Sequence, residues 1–158
     1  MVGEDLGTVE PWVRDELAGR NVLSYRLLWF EDRPPREWPG QALAAVTTHD
    51  LPTIAGAWKR TDPGEGLEVM RDRLKSSLGL ADDAPVEQVV VLAHSLLAEA
   101  PSAIVTATLD DLALAEHRPN MPGTTEPENW SRPLPCPLEE ILASPLAEAI
   151  TETLNQRS

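Results

Sequence analysis

Residues 47–53 read TTHDLPT and close a short apolar run, Leu43 to Thr48, whose composition predicts a buried strand. A second acidic loop, VGEDLGTV at 2–9, follows the bare remnant of a strand, Met1 and Val2. Loops just past parallel strands are where a (β/α) barrel places its chemistry, and cleaving a glycosidic bond takes carboxylates in different roles. The two loops together point to a sugar-processing site on an α/β fold. Because so little precedes the first loop, the strand that should deliver Glu4 is nearly missing, and the chain is expected to begin inside a larger domain.

Outward from these loops, strand and helix patterns alternate. Pro11 to Ala18 reads as a short helix, with proline tolerated in its first turn and Gly19 just beyond. Leu23 to Phe30 reads as a strand, and EDRPPREWPG at 31–40 as a loop, because prolines fix φ and remove donors. Glu65 to Leu78 carries a helical stripe at Leu67, Met70, Leu74 and Leu78, and Pro85 to Ala100 repeats it through Val86, Val89, Val90, Ala93, Leu96 and Leu97. Pro101 ends that helix, Ala103 to Thr108 reads as a strand, and 110–130 as a long loop. Ser144 before Pro145 is an N-cap opening a last helix along Leu146, Ile150 and Leu154. Strands alternating with helices predict a parallel sheet. At 158 residues the chain is one domain or part of one, short of the roughly 250 a barrel uses.

Charge and cysteine content narrow the partners. A net charge of −13, from 13 Lys plus Arg against 26 Asp plus Glu, argues against nucleic acid and anionic membranes. The single Cys136 cannot form an internal disulfide and fits a reducing compartment. MVGEDLG has no basic region ahead of an apolar core, and no apolar tract is long enough to span a bilayer, so a cytoplasmic location is expected.

Five stretches carry a family resemblance: GEDLGTV at 3–9, SYRLLWFE at 24–31, TTHDLPTIAGAW at 47–58, LDDLALAEHRPNMPGTT at 109–125 and NWSRPLP at 129–135. In this order they resemble the C-terminal part of the 4-alpha-glucanotransferases, also called amylomaltases or disproportionating enzymes, of glycoside hydrolase family seventy-seven. The resemblance implies that residues 1–158 are the C-terminal portion of a (β/α)8 TIM-barrel catalytic domain, supplying its last three or four βα units. It implies retaining transfer of α-1,4-glucan segments between malto-oligosaccharides, without a cofactor or metal. Residue by residue, it makes Glu4 the general acid/base and Asp50 the carboxylate that grips sugar hydroxyls and stabilises the transition state. It makes His49 a donor beside Asp50, and it brings Asn120, the turn Pro122, Gly123 and Thr124, and the pair Asn129 and Trp130 to the substrate. The nucleophilic aspartate of the family lies on an earlier strand and has no counterpart here, so the isolated chain is expected to be inactive. Pro119 stands where an apolar residue is more usual.

The division of labour has a physical basis. Retaining transfer passes twice through an oxocarbenium-like state, so one carboxylate attacks while another, kept protonated, serves the leaving oxygen. Asp5 would raise the Glu4 pKa if its side chain turned the same way. Each residue also has a plainer reading. Glu4 alone could be a solvated loop acid; His49 and Asp50 could be a structural hydrogen-bonded pair or half of a metal site, although His94 and His117 are not at zinc-ligand spacing. Trp29 and Trp58 read as core, Trp130 and Trp38 as the stacking candidates. Asp110 and Asp111 could cap the segment at Leu112 or touch substrate, and Cys136 has no histidine near it in sequence. A hydrolase on the same barrel, a non-catalytic glycan-binding module and a truncated gene product are the other readings of the whole chain; its oligomeric state is not encoded.

Overall fold

In the computed structural model, residues 1–125 and 128–157 are described. Three strands, β1 (Ser24–Leu27), β2 (Ala42–Ala45) and β3 (Ile104–Val105), pair in that order and all in parallel. Ser24 sits opposite Ala42, and Leu43 opposite Ile104. Val2 adds a parallel bridge to Leu23 on the outer side of β1. The expected strand at Leu23–Phe30 ends early because the chain turns at Leu28, where the Phe30 and Glu31 amides return to the Leu27 carbonyl.

Helices occupy the connections. α1 (Pro11–Gly19) precedes β1 and buries no residue fully. Between β2 and β3 run α2 (Ile54–Lys59), α3 (Leu67–Leu78) and α4 (Val86–Ala98). A one-turn α5 (Leu109–Leu112) opens the segment read as a loop, whose residues 126 and 127 lie outside the described ones; α6 (Leu138–Leu142) and α7 (Pro145–Asn155) follow. Among the described residues, no helix is long and apolar enough to cross a membrane.

α4 is the centre of the packing. Val89, Val90, Ala93 and Leu97 are fully buried, in one core with Ile54, Ala57, Leu74 and Ile150 from α2, α3 and α7. The stripe on α4 is what its sequence dictates: apolar residues three and four apart line one face. α2 is almost entirely buried, and Gly56 lets it come close to the later chain, since a Cβ there would collide with the Glu116 carbonyl.

One cation is built into this core. Arg71 lies 4.5 Å above the Trp58 ring, and its Nε donates to the Trp58 carbonyl at 3.1 Å. Its Nη1 and Nη2 donate to the side chain and the carbonyl of Asp82 at 2.8 and 2.7 Å, which joins α2 and α3 to the turn before α4. Lys75, and after it Arg71, hold the Asp82 carboxyl down to about 2. Replacing Arg71 by Met keeps the stem but removes the ring contact and the carbonyl's donor. We expect a loss of about 1–3 kcal/mol, read by urea unfolding; an unchanged midpoint would show that the stem alone carries the contact.

Candidate active site

Parallel pairing sends the ends of the Val2 segment, β1, β2 and β3 to one edge of the sheet. The EDLG loop, the THD loop and the segment after β3 therefore open on the same side. Two strand spacings, about 10 Å, separate the first ladder position from β2.

At the end of β2 the chain leaves the ladder through a tight turn. The Thr47 hydroxyl donates to the Pro52 carbonyl at 2.9 Å, and the Asp50 amide donates to Thr48 Oγ1 at 3.3 Å. His49 is exposed at the turn's tip and Asp50 is half-buried beside it. Asp50 Oδ1 accepts Asn120 Nδ2 at 2.6 Å and lies 3.4 Å from His49 Nε2. The Asn120 amide in turn donates to the His49 carbonyl at 3.0 Å. Trp130 meets His49 with ring centroids 5.0 Å apart and a 46° tilt, while 67% of its surface stays open. Its backbone is left-handed, at φ 62°, a conformation that costs a residue with a side chain on the order of 1 kcal/mol.

The turn between Asn120 and Trp130 is closed by Asn129. Its Oδ1 accepts the Met121 amide at 2.9 Å and its Nδ2 donates to Thr124 Oγ1 at 3.1 Å, while the Thr124 hydroxyl donates to the Met121 carbonyl at 2.9 Å. Pro122, Gly123 and Thr124 are exposed, Gly123 at φ 74°. The structure thus brings His49, Asp50, Asn120 and Trp130 into contact and makes Asn129 and Thr124 the brace of the adjoining turn. A cavity of about 470 Å³, lined by Pro63, His117, Arg118, Met121, Glu128 and Arg132 among others, adjoins this turn without being lined by Glu4 or Asp50.

Glu4 stands on the first loop, exposed, and near enough to Tyr25 that its charge, after burial, pushes the Tyr25 hydroxyl up. Asp5 does not turn with it. Its side chain is fully buried, accepts the Tyr25 amide at 2.7 Å, and lies 3.3 and 3.9 Å from the Arg14 and Arg26 guanidinium groups. A carboxylate taken from water needs such cations, and the inward turn supplies them. Two further expectations are corrected. Trp38 is not a stacking surface: it is buried and its Nε1 donates to the Arg33 carbonyl at 2.9 Å, in the same way that the core indoles of Trp29 and Trp58 donate to Pro52 and Ala84. Asp111 neither caps α5 nor reaches the surface; Thr108 is the cap, and the buried Asp111 accepts the Ile54 amide at 3.0 Å. Burial pushes the Asp111 carboxyl up, against the pull of His94.

The residues that sequence reading passed over are Asp62 and Arg118. Both are buried, and Asp62 accepts Arg118 Nη2 at 2.7 Å, its Nε at 3.1 and 3.2 Å, its main-chain amide at 3.2 Å and the Gly64 amide at 2.9 Å. The signal was present in two places, an Asp-Pro-Gly turn at 62–64 and an arginine inside HRPNMPG, with nothing local to join them.

Comparison with known proteins gives one consistent picture. A sequence model of the 4-alpha-glucanotransferases matches residues 1–139. The 4-alpha-glucanotransferase of Mycobacterium tuberculosis H37Rv is 36% identical over 95% of this chain, and that of Haemophilus influenzae 28% identical over 99%. The chain spans 27% of the length of each. The crystal structure of amylomaltase from Corynebacterium glutamicum superposes with a TM-score of 0.80 at 30% identity, covering 97% of this chain and 28% of that one. The amylomaltase from Streptococcus agalactiae in complex with acarbose shares the fold at a TM-score of 0.65 and 20% identity. The three parallel strands and their helices are thus an α/β segment of the amylomaltase architecture.

The Asp62 carboxyl generates a pH dependence. Burial pushes it up, but the bonds from the Arg118 side chain and the Gly64 amide, with the guanidinium charge, outweigh burial and hold it below its ordinary value. A carboxyl depressed in this way contributes stability that is complete above the unfolded pKa near 4 and is lost as pH falls through the folded one. At pH 7, Asp62→Asn leaves Arg118 buried without its counter-ion, at a cost of about 3–5 kcal/mol. We expect the thermal midpoints of wild type and variant to differ at pH 7 and converge below about pH 4; a constant difference would remove Asp62 from the acid response.

Proposed function

The chain belongs to the 4-alpha-glucanotransferase family, and from that premise we propose that it forms the C-terminal portion of a (β/α)8 catalytic domain transferring α-1,4-glucan segments between malto-oligosaccharides with retention. Because the chain spans about a quarter of its curated relatives, the activity is that of the longer protein. The observation that carries this reading is the Asp50 carboxylate, oriented by Asn120 at 2.6 Å next to an exposed indole face. Polar groups fixed beside an open aromatic surface suit a sugar, whose hydroxyls need partners and whose C–H face needs a ring.

In this reading an aspartate outside the 158 residues attacks the anomeric carbon while Glu4 gives its proton to the leaving glycosidic oxygen. Glu4, then a carboxylate, takes the proton of the acceptor's 4-hydroxyl, whose oxygen attacks the same carbon and releases the aspartate. Exposure of Glu4 on the first loop leaves it free to reach both oxygens. Asp50 accepts from sugar hydroxyls and offsets the positive charge that develops on the ring, with His49 donating alongside. Asn120, the turn Pro122 to Thr124, Asn129 and Trp130 form the wall against which the sugar lies. The chemistry requires no cofactor, and the lone Cys136 fits a reducing cytoplasmic setting.

The test is disproportionation of maltotriose. In the full-length protein Glu4→Gln and Asp50→Asn should each lower the rate by about 10²–10⁴-fold. A glucosyl fluoride, whose leaving group needs no proton, should partly rescue Glu4→Gln and not Asp50→Asn. The 158 residues alone should be inert. Robust transfer by that segment, or equal rescue of the two variants, would overturn the roles, and acarbose binding without turnover in the full-length protein would favour a glycan-binding module.

A further inference from the structure

Two segments far apart in sequence meet at the Asp50 loop, and one arginine touches both. Arg118 directs its main-chain amide, Nε and Nη2 to the buried Asp62 carboxylate. It keeps Nη1 for the main-chain carbonyl of Asp50, at 2.8 Å. Two residues on, Asn120 holds the carboxylate of the same Asp50. Asp50 is therefore fixed at its backbone and at its side chain by neighbours on one strand of chain. The planar guanidinium transmits direction as well as charge: with one side seated on Asp62, the other has a defined line to the Asp50 carbonyl. Simple tethering does not require this, because Lys59 and Glu116 already join the same two segments at the surface, at 2.8 Å.

We propose that Arg118 is a positioning residue for Asp50, using the buried Asp62 carboxylate as a fixed seat from which it sets the backbone of the THD loop, and hence the aim of the Asp50 carboxylate at the sugar. The inference rests on the reading of Asp50 as the carboxylate that stabilises the transition state. Gly64 completes the seat. A Cβ at Gly64 would run into Arg118 Nη2, so the guanidinium occupies space that only a glycine leaves open.

Three variants of the full-length protein test it. Arg118→Lys keeps a cation for Asp62 but cannot serve two acceptors along fixed lines; Gly64→Ala displaces the guanidinium without changing any charge; Lys59→Ala breaks the surface tether only. With maltotriose as substrate we expect kcat to fall about 10–100-fold in Arg118→Lys, and in the same direction in Gly64→Ala, with KM within about threefold of wild type. Lys59→Ala should leave kcat unchanged. Thermal unfolding measures the folded fraction of each, and a purely structural role would lower the midpoint without lowering kcat per folded molecule. That result in Arg118→Lys, or in Gly64→Ala should the lysine variant not fold, overturns the proposal. If wild type performs no transfer, the functional reading falls, and calorimetric binding of acarbose decides the inference alone. Binding at least about tenfold weaker in Arg118→Lys supports it, and unchanged binding, or none by wild type, overturns it.

Discussion

The loop after β2 is anchored from 57 to 70 residues further along the chain. The Thr53 hydroxyl donates to the Ala115 carbonyl at 2.5 Å, the Ile54 amide to Asp111, Arg118 to the Asp50 carbonyl, and Asn120 to the Asp50 carboxylate. This seam lets a turn of a few residues, exposed at its tip, hold a fixed shape. Each bond also answers a local need: Thr53 caps α2, Ile54 is among the first amides of that helix without an intrahelical partner, and the Asp50 carbonyl lies outside the sheet. The site and the fold share the same bonds, so what shapes the acidic loop also holds α2 in the core.

Electrostatics follow the same economy. The chain has twice as many acids as bases, yet Arg14, Arg26, Arg71 and Arg118 are all turned toward acidic or carbonyl oxygens near the core. Asp62 is thereby held in its charged form inside the protein, whereas burial pushes Asp111 toward its neutral form despite the Ile54 amide and the nearby His94. The surface left behind is acidic. Such a field neither steers nor repels an uncharged ligand, so under the function proposed above recognition would fall to hydrogen bonds and ring stacking at the His49 to Trp130 cluster.

Periodicity made α3, α4 and α7 legible, because each buries one face against a single core, and β1 and β2 were legible as short apolar runs. It missed α2, which is six residues long, has Gly56 at its middle and is buried on nearly every side, so it shows no stripe. It missed α5 and α6 for their brevity. The family motifs named His49, Asp50, Asn120, Asn129 and Trp130, but spacing alone joins no pair of them across the fold. The buried acids were the hardest to read. Asp5, Asp62 and Asp111 each sit in an ordinary acidic turn or helix start, and what sets them apart is a partner, Arg26, Arg118 or Ile54, that sequence distance conceals. Trp38 misled in the opposite sense: a proline-rich loop suggests an open ring, whereas the chain folds the indole under itself onto the Arg33 carbonyl.

The length of the seam also has a meaning in time. A ribosome adding roughly 5–20 residues per second takes about 3–14 seconds to pass from the THD loop to the segment that anchors it. Throughout that interval the Thr53, Ile54 and Asp50 groups have left the tunnel ahead of their partners, and α2, with α3 and α4 to pack on, still lacks the 111–118 segment. The nascent chain must therefore carry an apolar, half-built layer for seconds before Arg118 arrives to close it, an interval in which a chaperone has something to hold.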